Sequence, residues 1–258
     1  MFSYFKRRRR DRILAQPFSR VSADLLAAEM PYYRKLPEAA RSTLHRHVQV
    51  LLAEKRFEGC GGFVLEDRHR LIIAGYASLL LLERPGDYYP QLYSILVYPD
   101  TFVAKIDEPD EDGMVWEEEE EREGESWSLG AIVLSWRDVE RDIRVLNGRN
   151  VILHEFAHHL HEVDGVFDGA HFLETREAQH EWAEVMSRHY DRHVQAVDGR
   201  RKTFLDPYGA EDPAEFLAVC TEAFFEQPVK LHERHPELYR QLERYYAQDP
   251  AGYFAQRD

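Results

Sequence analysis

The chain has 258 residues, 44% of them hydrophobic, which is enough to build a sizeable core. Its 47 acidic residues against 33 basic ones leave a net charge of −14, and that argues against a nucleic-acid surface, which needs an excess of Lys and Arg. Two cysteines, Cys60 and Cys220, exclude a disulfide framework, no apolar run is long enough for a signal segment or a bilayer span, and the chain reads as cytoplasmic.

The first sixteen residues contain Lys6-Arg7-Arg8-Arg9-Arg10 and read as a basic, flexible N-terminal arm. An acidic partner or anionic lipid is the functional reading of such an arm. Residues 17–258 show no internal repeat and no clear linker, so a single domain is the simplest organisation. Helix is expected from about Ser22 to Lys55, with Leu44, Val48, Leu51 and Leu52 at helical spacing. Phe57 to Phe63 is a turn-rich join, and Arg68 to Leu82 reads as a buried helix. A strand follows in Tyr93–Ala104, broken at Pro99-Asp100. The acidic segment Asp107–Glu125, with Glu117 to Glu121 unbroken, reads as a solvated loop, or as a flap over a cleft. Gly130 to Trp136 reads as a buried strand, of the kind beside which an extended substrate could pair its main chain.

The next segment carries the chemistry. His154-Glu155-Phe156-Ala157-His158 is an HExxH. On an α-helix the two histidines lie one turn apart on one face and can aim at one metal ion. Glu155, one step round, is placed to act as a general base on water. The context agrees: Asn147 to Asn150 is a turn with Asn150 as N-cap, apolar residues follow at Val151, Ile152, Leu153, Phe156, Ala157 and Leu160, and Asp164-Gly165 reads as the stop.

Downstream, a long helix is expected over Glu174–Val197, with Trp182, Val185, Met186, His189 and His193 as its core stripe. Further helices are expected over Asp212–Phe225 and Pro236–Tyr246. A catalytic zinc site needs a third protein ligand, and residue types alone leave four candidates: His161, Asp164, Glu215 and Glu222. His161 would have to converge from a third turn of one straight helix, and Asp164 would need a sharp reversal where His161 stands in place of a glycine. Glu215 also fits a capping box, Asp212-Pro213-Ala214-Glu215, so ligand and cap compete for one carboxylate.

A series of segments in order makes the chain recognisable. They are Leu71-Ile72-Ile73-Ala74, Ile95-Leu96-Val97-Tyr98-Pro99, Gly124-Glu125-Ser126-Trp127, Val133-Leu134-Ser135-Trp136, the HExxH, Asp164-Gly165, Tyr208-Gly209, Asp212-Pro213-Ala214-Glu215-Phe216, Phe224-Phe225-Glu226 and Leu238-Tyr239. The chain resembles the Mlc titration factor A family of zinc-dependent peptidases. The resemblance implies an α+β, mostly helical, zincin-like (gluzincin) domain with a small sheet packed beside the HExxH helix. It implies one zinc ion held by His154, His158 and Glu215, with Glu155 as the base. The chain is also similar to the catalytic domain of anthrax lethal factor in placing a tyrosine, Tyr208, seven residues before that glutamate, which implies an oxyanion donor. His161 departs from the family pattern, which often has Asp there. A peptide or protein substrate is implied, and so is a second, regulatory reading: a partner that is a transcriptional repressor of the Mlc type, sequestered from DNA. Aminopeptidase or internal cleavage stays open, since that depends on whether one end of the cleft is blocked.

Overall fold

In a computed structural model the described residues are 2–84, 88–100, 102–105, 119–122, 124–127, 130–163 and 175–255. The N-terminal half opens with three helices, α1 (Phe2–Leu14), α2 (Arg20–Glu29) and α3 (Glu38–Glu54). Strand β1 (Arg56–Gly59), helix α4 (Asp67–Leu79) and strand β2 (Ser94–Tyr98) come next. Four more strands follow, β3 (Phe102–Lys105), β4 (Glu119–Arg122), β5 (Gly124–Trp127) and β6 (Ala131–Ser135). The C-terminal half is helical: α5 (Trp136–Asp142), α6 (Val151–Val163), α7 (Arg176–Asp198), α8 (Pro213–Glu226), α9 (Pro228–Arg234), α10 (Pro236–Tyr246) and α11 (Pro250–Ala255). The expected α+β, mostly helical class is what these elements make.

Four strands form a sheet in the order β1-β2-β6-β5. β1, β2 and β6 run parallel, and β5 runs antiparallel to β6, with Glu125 opposite Val133. β6 is therefore an interior strand paired on both sides, and among the described residues β5 is the outermost strand next to it. Burial agrees, because Ile132, Val133, Leu134 and Ser135 are all buried where a half-covered strand would alternate.

α4 is apolar nearly all round, and residues from Leu71 to Leu79 are buried between α2, α3 and α6. α6 packs on α4, β5, β6 and α8, which places the HExxH helix between the sheet and the C-terminal helices. Ile152, Leu153, Phe156 and Ala157 have no exposed surface. Each larger one of these contributes about 1.5–3 kcal/mol of burial, so the face opposite the histidines fixes the helix. The stripe on α7 is core at Trp182, Val185, Met186 and His193, and α10 buries Leu238, Leu242 and Tyr245 as its spacing requires.

Two expectations are corrected. The basic segment forms α1, because Arg10 makes a bidentate ion pair with Glu54 at 2.8 and 2.7 Å and Arg9 donates to the Ala53 carbonyl at 2.9 Å, which lays the helix along α3. Part of the acidic run is strand rather than loop: Glu119–Arg122 pairs antiparallel with Phe102–Lys105, in a register that sets Glu119 opposite Lys105. The expected helix stop at Asp164-Gly165 lies outside the described residues.

Candidate metal centre

The turn before α6 uses Gly148 at φ +98°, a backbone that side-chain-bearing residues rarely adopt. It delivers Asn150 to the N-cap, where its Oδ1 accepts the Leu153 N–H at 3.2 Å. Two further N–H groups of this helix end are taken by carboxylates from two other helices. Val151 donates to Asp142 of α5 at 3.1 Å, and Asn150 donates to Glu222 of α8. The helix N-terminus thus fastens α5 and α8 to α6.

One turn in, the imidazoles of His154 and His158 face the first turns of α8. His154 Nε2 lies 3.1 Å from His158 Nε2 and 2.9 Å from Glu215 Oε2, and His158 Nε2 lies 3.3 Å from Glu215 Oε1. Ligand atoms held tetrahedrally at about 2.0–2.1 Å from one ion sit about 3.3 Å apart, and one ligand atom from each of the three residues lies within 4.8 Å of the other two. Among the described residues this is the group of His, Cys, Asp and Glu side chains that could hold a metal ion. Glu215 reaches it because Asp212 does the capping alone. Asp212 Oδ1 accepts both the Ala214 N–H at 2.7 Å and the Glu215 N–H at 2.9 Å, and the Glu215 carboxylate is left to the histidines.

The electrostatics ask for a cation. His154 Nδ1 lies 2.9 Å from Glu222 Oε1. If Nδ1 carries the proton towards that carboxylate, Nε2 presents a bare lone pair to Glu215, an arrangement that only a further proton or a metal ion stabilises. Burial works against a charged His154, but the hydrogen bonds to Glu215 and Glu222 outweigh it and hold its pKa well above the usual range. Burial likewise opposes a charged Glu215, and the two histidines overcome it to hold that carboxyl down at about 2.

Glu155 does not belong to the donor group. It is buried, with Oε2 lacking a hydrogen-bond partner among the described residues. Burial pushes its carboxyl up to about 7, against the pull of His154 and His158. An unpartnered buried carboxyl poised near neutral pH is suited to taking and returning a proton. Tyr208 stands at the rim, 45% exposed, its ring centroid 5.9 Å from that of His154. Its turn, Pro207–Ala210, is capped by Asp206, whose side chain also meets Arg149 at 3.3 Å and whose carbonyl lies 2.9 Å from His193 Nε2. Gly209 lets this turn approach α8: a Cβ there would meet Val219 at 3.3 Å and Phe216 at 3.4 Å.

Of the four candidates for a third ligand, the structure brings Glu215 to the histidines and puts Glu222 behind His154, on its other nitrogen. His161 stays outside the group, buried near Tyr245 with neither ring nitrogen hydrogen-bonded among the described residues. Asp164 lies outside the described residues. The backing role of Glu222 was missed in the sequence. The signal for it was there, since a ligating imidazole needs an acceptor on its second nitrogen and Glu222 shares a face of α8 with Glu215.

Behind Glu222 lies Glu226, which accepts from Asn150 Nδ2 and the Asn147 N–H, both at 3.2 Å. Burial raises its pKa well above the usual carboxylate range. A raised folded pKa means that stability from this group is full below the unfolded value, about 4.3, and is lost as pH rises through the folded value. The Glu226→Gln variant is therefore expected to gain in Tm relative to wild type from pH 5 to pH 8. Thermal unfolding of both proteins at the two pH values checks this, and a pH-independent difference contradicts it.

With this geometry in hand, the class follows from comparison with known proteins. The chain belongs to the glucose-regulated metallo-peptidase M90 family, whose model matches residues 4–247. It is 41% identical over 230 residues to an uncharacterized protein of Synechocystis sp., covering 88% of this chain and 83% of that one. It is 32% identical over 227 residues to Mlc titration factor A of Pectobacterium atrosepticum and 32% identical over 228 residues to Mlc titration factor A of Escherichia coli. Each of these two alignments covers 87% of this chain and 85% of the relative. The resemblance drawn from the ordered segments is borne out. No helix among the described residues is long and apolar enough to cross a membrane.

Proposed function

We propose that the protein is a zinc-dependent peptidase of gluzincin type on a zincin-like fold, with His154, His158 and Glu215 as metal ligands, Glu155 as general base and Tyr208 as oxyanion donor. The observation that carries this reading is the meeting of two imidazoles and a carboxylate from two helices beside a buried carboxyl with an unpartnered oxygen. Two nitrogens and one oxygen are the donor set of catalytic zinc, and they leave a coordination position for substrate or water. Zinc held there would supply a Lewis acid that polarises the scissile carbonyl and makes water easier to deprotonate.

Each residue then has a task. Glu222 holds the His154 ring by its Nδ1, which keeps Nε2 turned to the donor group. Glu155 accepts the proton of the attacking water and passes it to the leaving amine. The Tyr208 hydroxyl donates a hydrogen bond to the oxyanion of the tetrahedral intermediate. β5, the outermost of the sheet's strands among the described residues and packed against α6, offers main-chain groups with which an extended peptide can pair, so that affinity does not demand particular side chains.

The test uses purified protein on chromogenic peptides with free and with blocked N-termini. Removal of metal by a chelator is expected to abolish turnover and added zinc to restore it. Activity that survives full metal removal overturns the reading. Cleavage of the free peptide alone marks an aminopeptidase, and cleavage of both marks an endopeptidase. Tyr208→Phe is expected to lower kcat about 10²- to 10³-fold with KM little changed. Undiminished kcat in that variant removes Tyr208 from the mechanism.

A regulatory reading is favoured by the name of the relatives, Mlc titration factor A. On that reading the protein sequesters a repressor of the Mlc type, and peptide hydrolysis is secondary. Capture of such a repressor by Glu155→Gln protein, with and without zinc, separates the two. Capture independent of both supports titration, and no capture leaves peptide hydrolysis as the function.

A further inference from the structure

Helix α1 has two faces of different chemistry. At 100° per residue, Arg10, Ile13 and Leu14 fall on one side, and these are its partly buried residues. That side is fastened to α3 by the Arg10–Glu54 pair, and the Arg10 guanidinium also lies 4.6 Å from the Tyr88 ring centroid. The opposite side carries Tyr4, Arg8 and Arg12 at four-residue spacing, flanked by Phe5, while Arg9 reaches sideways to the Ala53 carbonyl of α3. Tyr4, Phe5, Arg8 and Arg12 are exposed, Tyr4 by 58% and Phe5 by 64%. The Arg8 guanidinium lies 5.5 Å from the Tyr4 ring centroid, so cation and ring share one patch.

We propose that this outward face of α1 is a docking surface for anionic lipid headgroups, which holds the protein on a membrane surface without crossing the bilayer. Three observations favour this partner. First, α1 contains six basic residues and one acidic residue, a local excess of positive charge in a chain whose net charge is −14. Contact with an anionic surface on this one side engages that local excess, whereas a long polyanion that wraps the protein meets the acidic remainder. Second, the exposed rings of Tyr4 and Phe5 lie among the cations. The headgroup region accepts aromatic rings beside charges, and phosphate contacts alone would leave Phe5 in water. Third, α1 has 13 residues and too many charges to span a bilayer, and its docked side keeps it lying along α3. Binding of this kind is reversible and weakens with salt, because juxtamembrane cations act within a Debye length of the surface.

The experiment is co-sedimentation of the full chain with vesicles of phosphatidylcholine alone and of phosphatidylcholine with 30% phosphatidylglycerol. The expected result is at least tenfold tighter binding to the anionic vesicles at low salt, weakened by raised salt. Arg8→Glu/Arg12→Glu reverses charge on the outward face and leaves Arg10, Ile13 and Leu14 in place, and it is expected to cut that binding at least tenfold. Tyr4→Ser/Phe5→Ser is expected to cut it severalfold at constant charge. Peptide hydrolysis in solution and the far-ultraviolet circular dichroism of both variants are expected to match wild type. Equal binding to both vesicle types overturns the proposal, and so does anionic binding that ignores the Arg8/Arg12 reversal. Tighter binding to a duplex DNA or RNA oligonucleotide than to the anionic vesicles, unaffected by loss of the two rings, assigns the face to nucleic acid instead. If the charge-reversed variant loses helix content, Arg8→Gln/Arg12→Gln replaces it, with the same two outcomes.

Discussion

Replacing Glu155 by Gln is expected to lower kcat about 10²- to 10⁴-fold and to leave the metal content unchanged. The two halves of that expectation have separate causes. The side chain is buried beside the donor group without belonging to it, so an amide of the same shape disturbs no ligand. Its unpartnered Oε2 is where a proton would be received, and an amide cannot receive one. Burial raises the carboxyl to about 7 while the neighbouring imidazoles pull it down, so one group can be base in one step and acid in the next. Steady-state kinetics with metal analysis on the same sample checks both halves. Full activity in the variant moves the base to another residue, and lost metal makes Glu155 part of the binding set.

Glu215→Ala is expected to empty the site of zinc, and Glu222→Gln to weaken zinc binding about 10- to 100-fold. Two imidazoles four residues apart on a helix make an incomplete set, and on the proposed assignment Glu215 completes it from a second helix. Glu222 acts one bond further out. A carboxylate can accept from both His154 Nδ1 and the Asn150 N–H, but an amide must turn its NH₂ towards one of these donors. The measurement is zinc retained in dialysis against a competing chelator. Unchanged zinc in Glu215→Ala shifts the third ligand to another group, and unchanged affinity in Glu222→Gln strips Glu222 of its orienting role.

The sequence told most about the HExxH helix. Asn150, the apolar positions and the two histidines sit in α6 as their spacing requires, since helix period and N-cap chemistry are local properties. Glu215 was ambiguous for a physical reason: Asp212-Pro213-Ala214-Glu215 has the form of a capping box, and only the three-dimensional structure shows that one oxygen of Asp212 takes both backbone donors. Glu222 read as a rival ligand because face-sharing along a helix does not say which nitrogen of a distant imidazole a carboxylate meets. The acidic strand β4 and the outer strand β5 were hidden for another reason. Four-residue strands in a charged stretch carry too little alternation to stand out, and pairing with β3 and β6 decides them. α1 read as an arm because nothing within it foretells Glu54, which lies on another helix.

The donor group draws on α6 and on α8, and α7 and the Tyr208 turn lie between them in the chain. During synthesis His154 and His158 emerge long before Glu215, and until α8 packs on α6 they lack their third companion. On the proposed assignment the donor group is complete only when the C-terminal half has found its place. A chain truncated before α8 keeps the whole HExxH motif but not Glu215, and on the proposed assignment it is expected to retain no zinc.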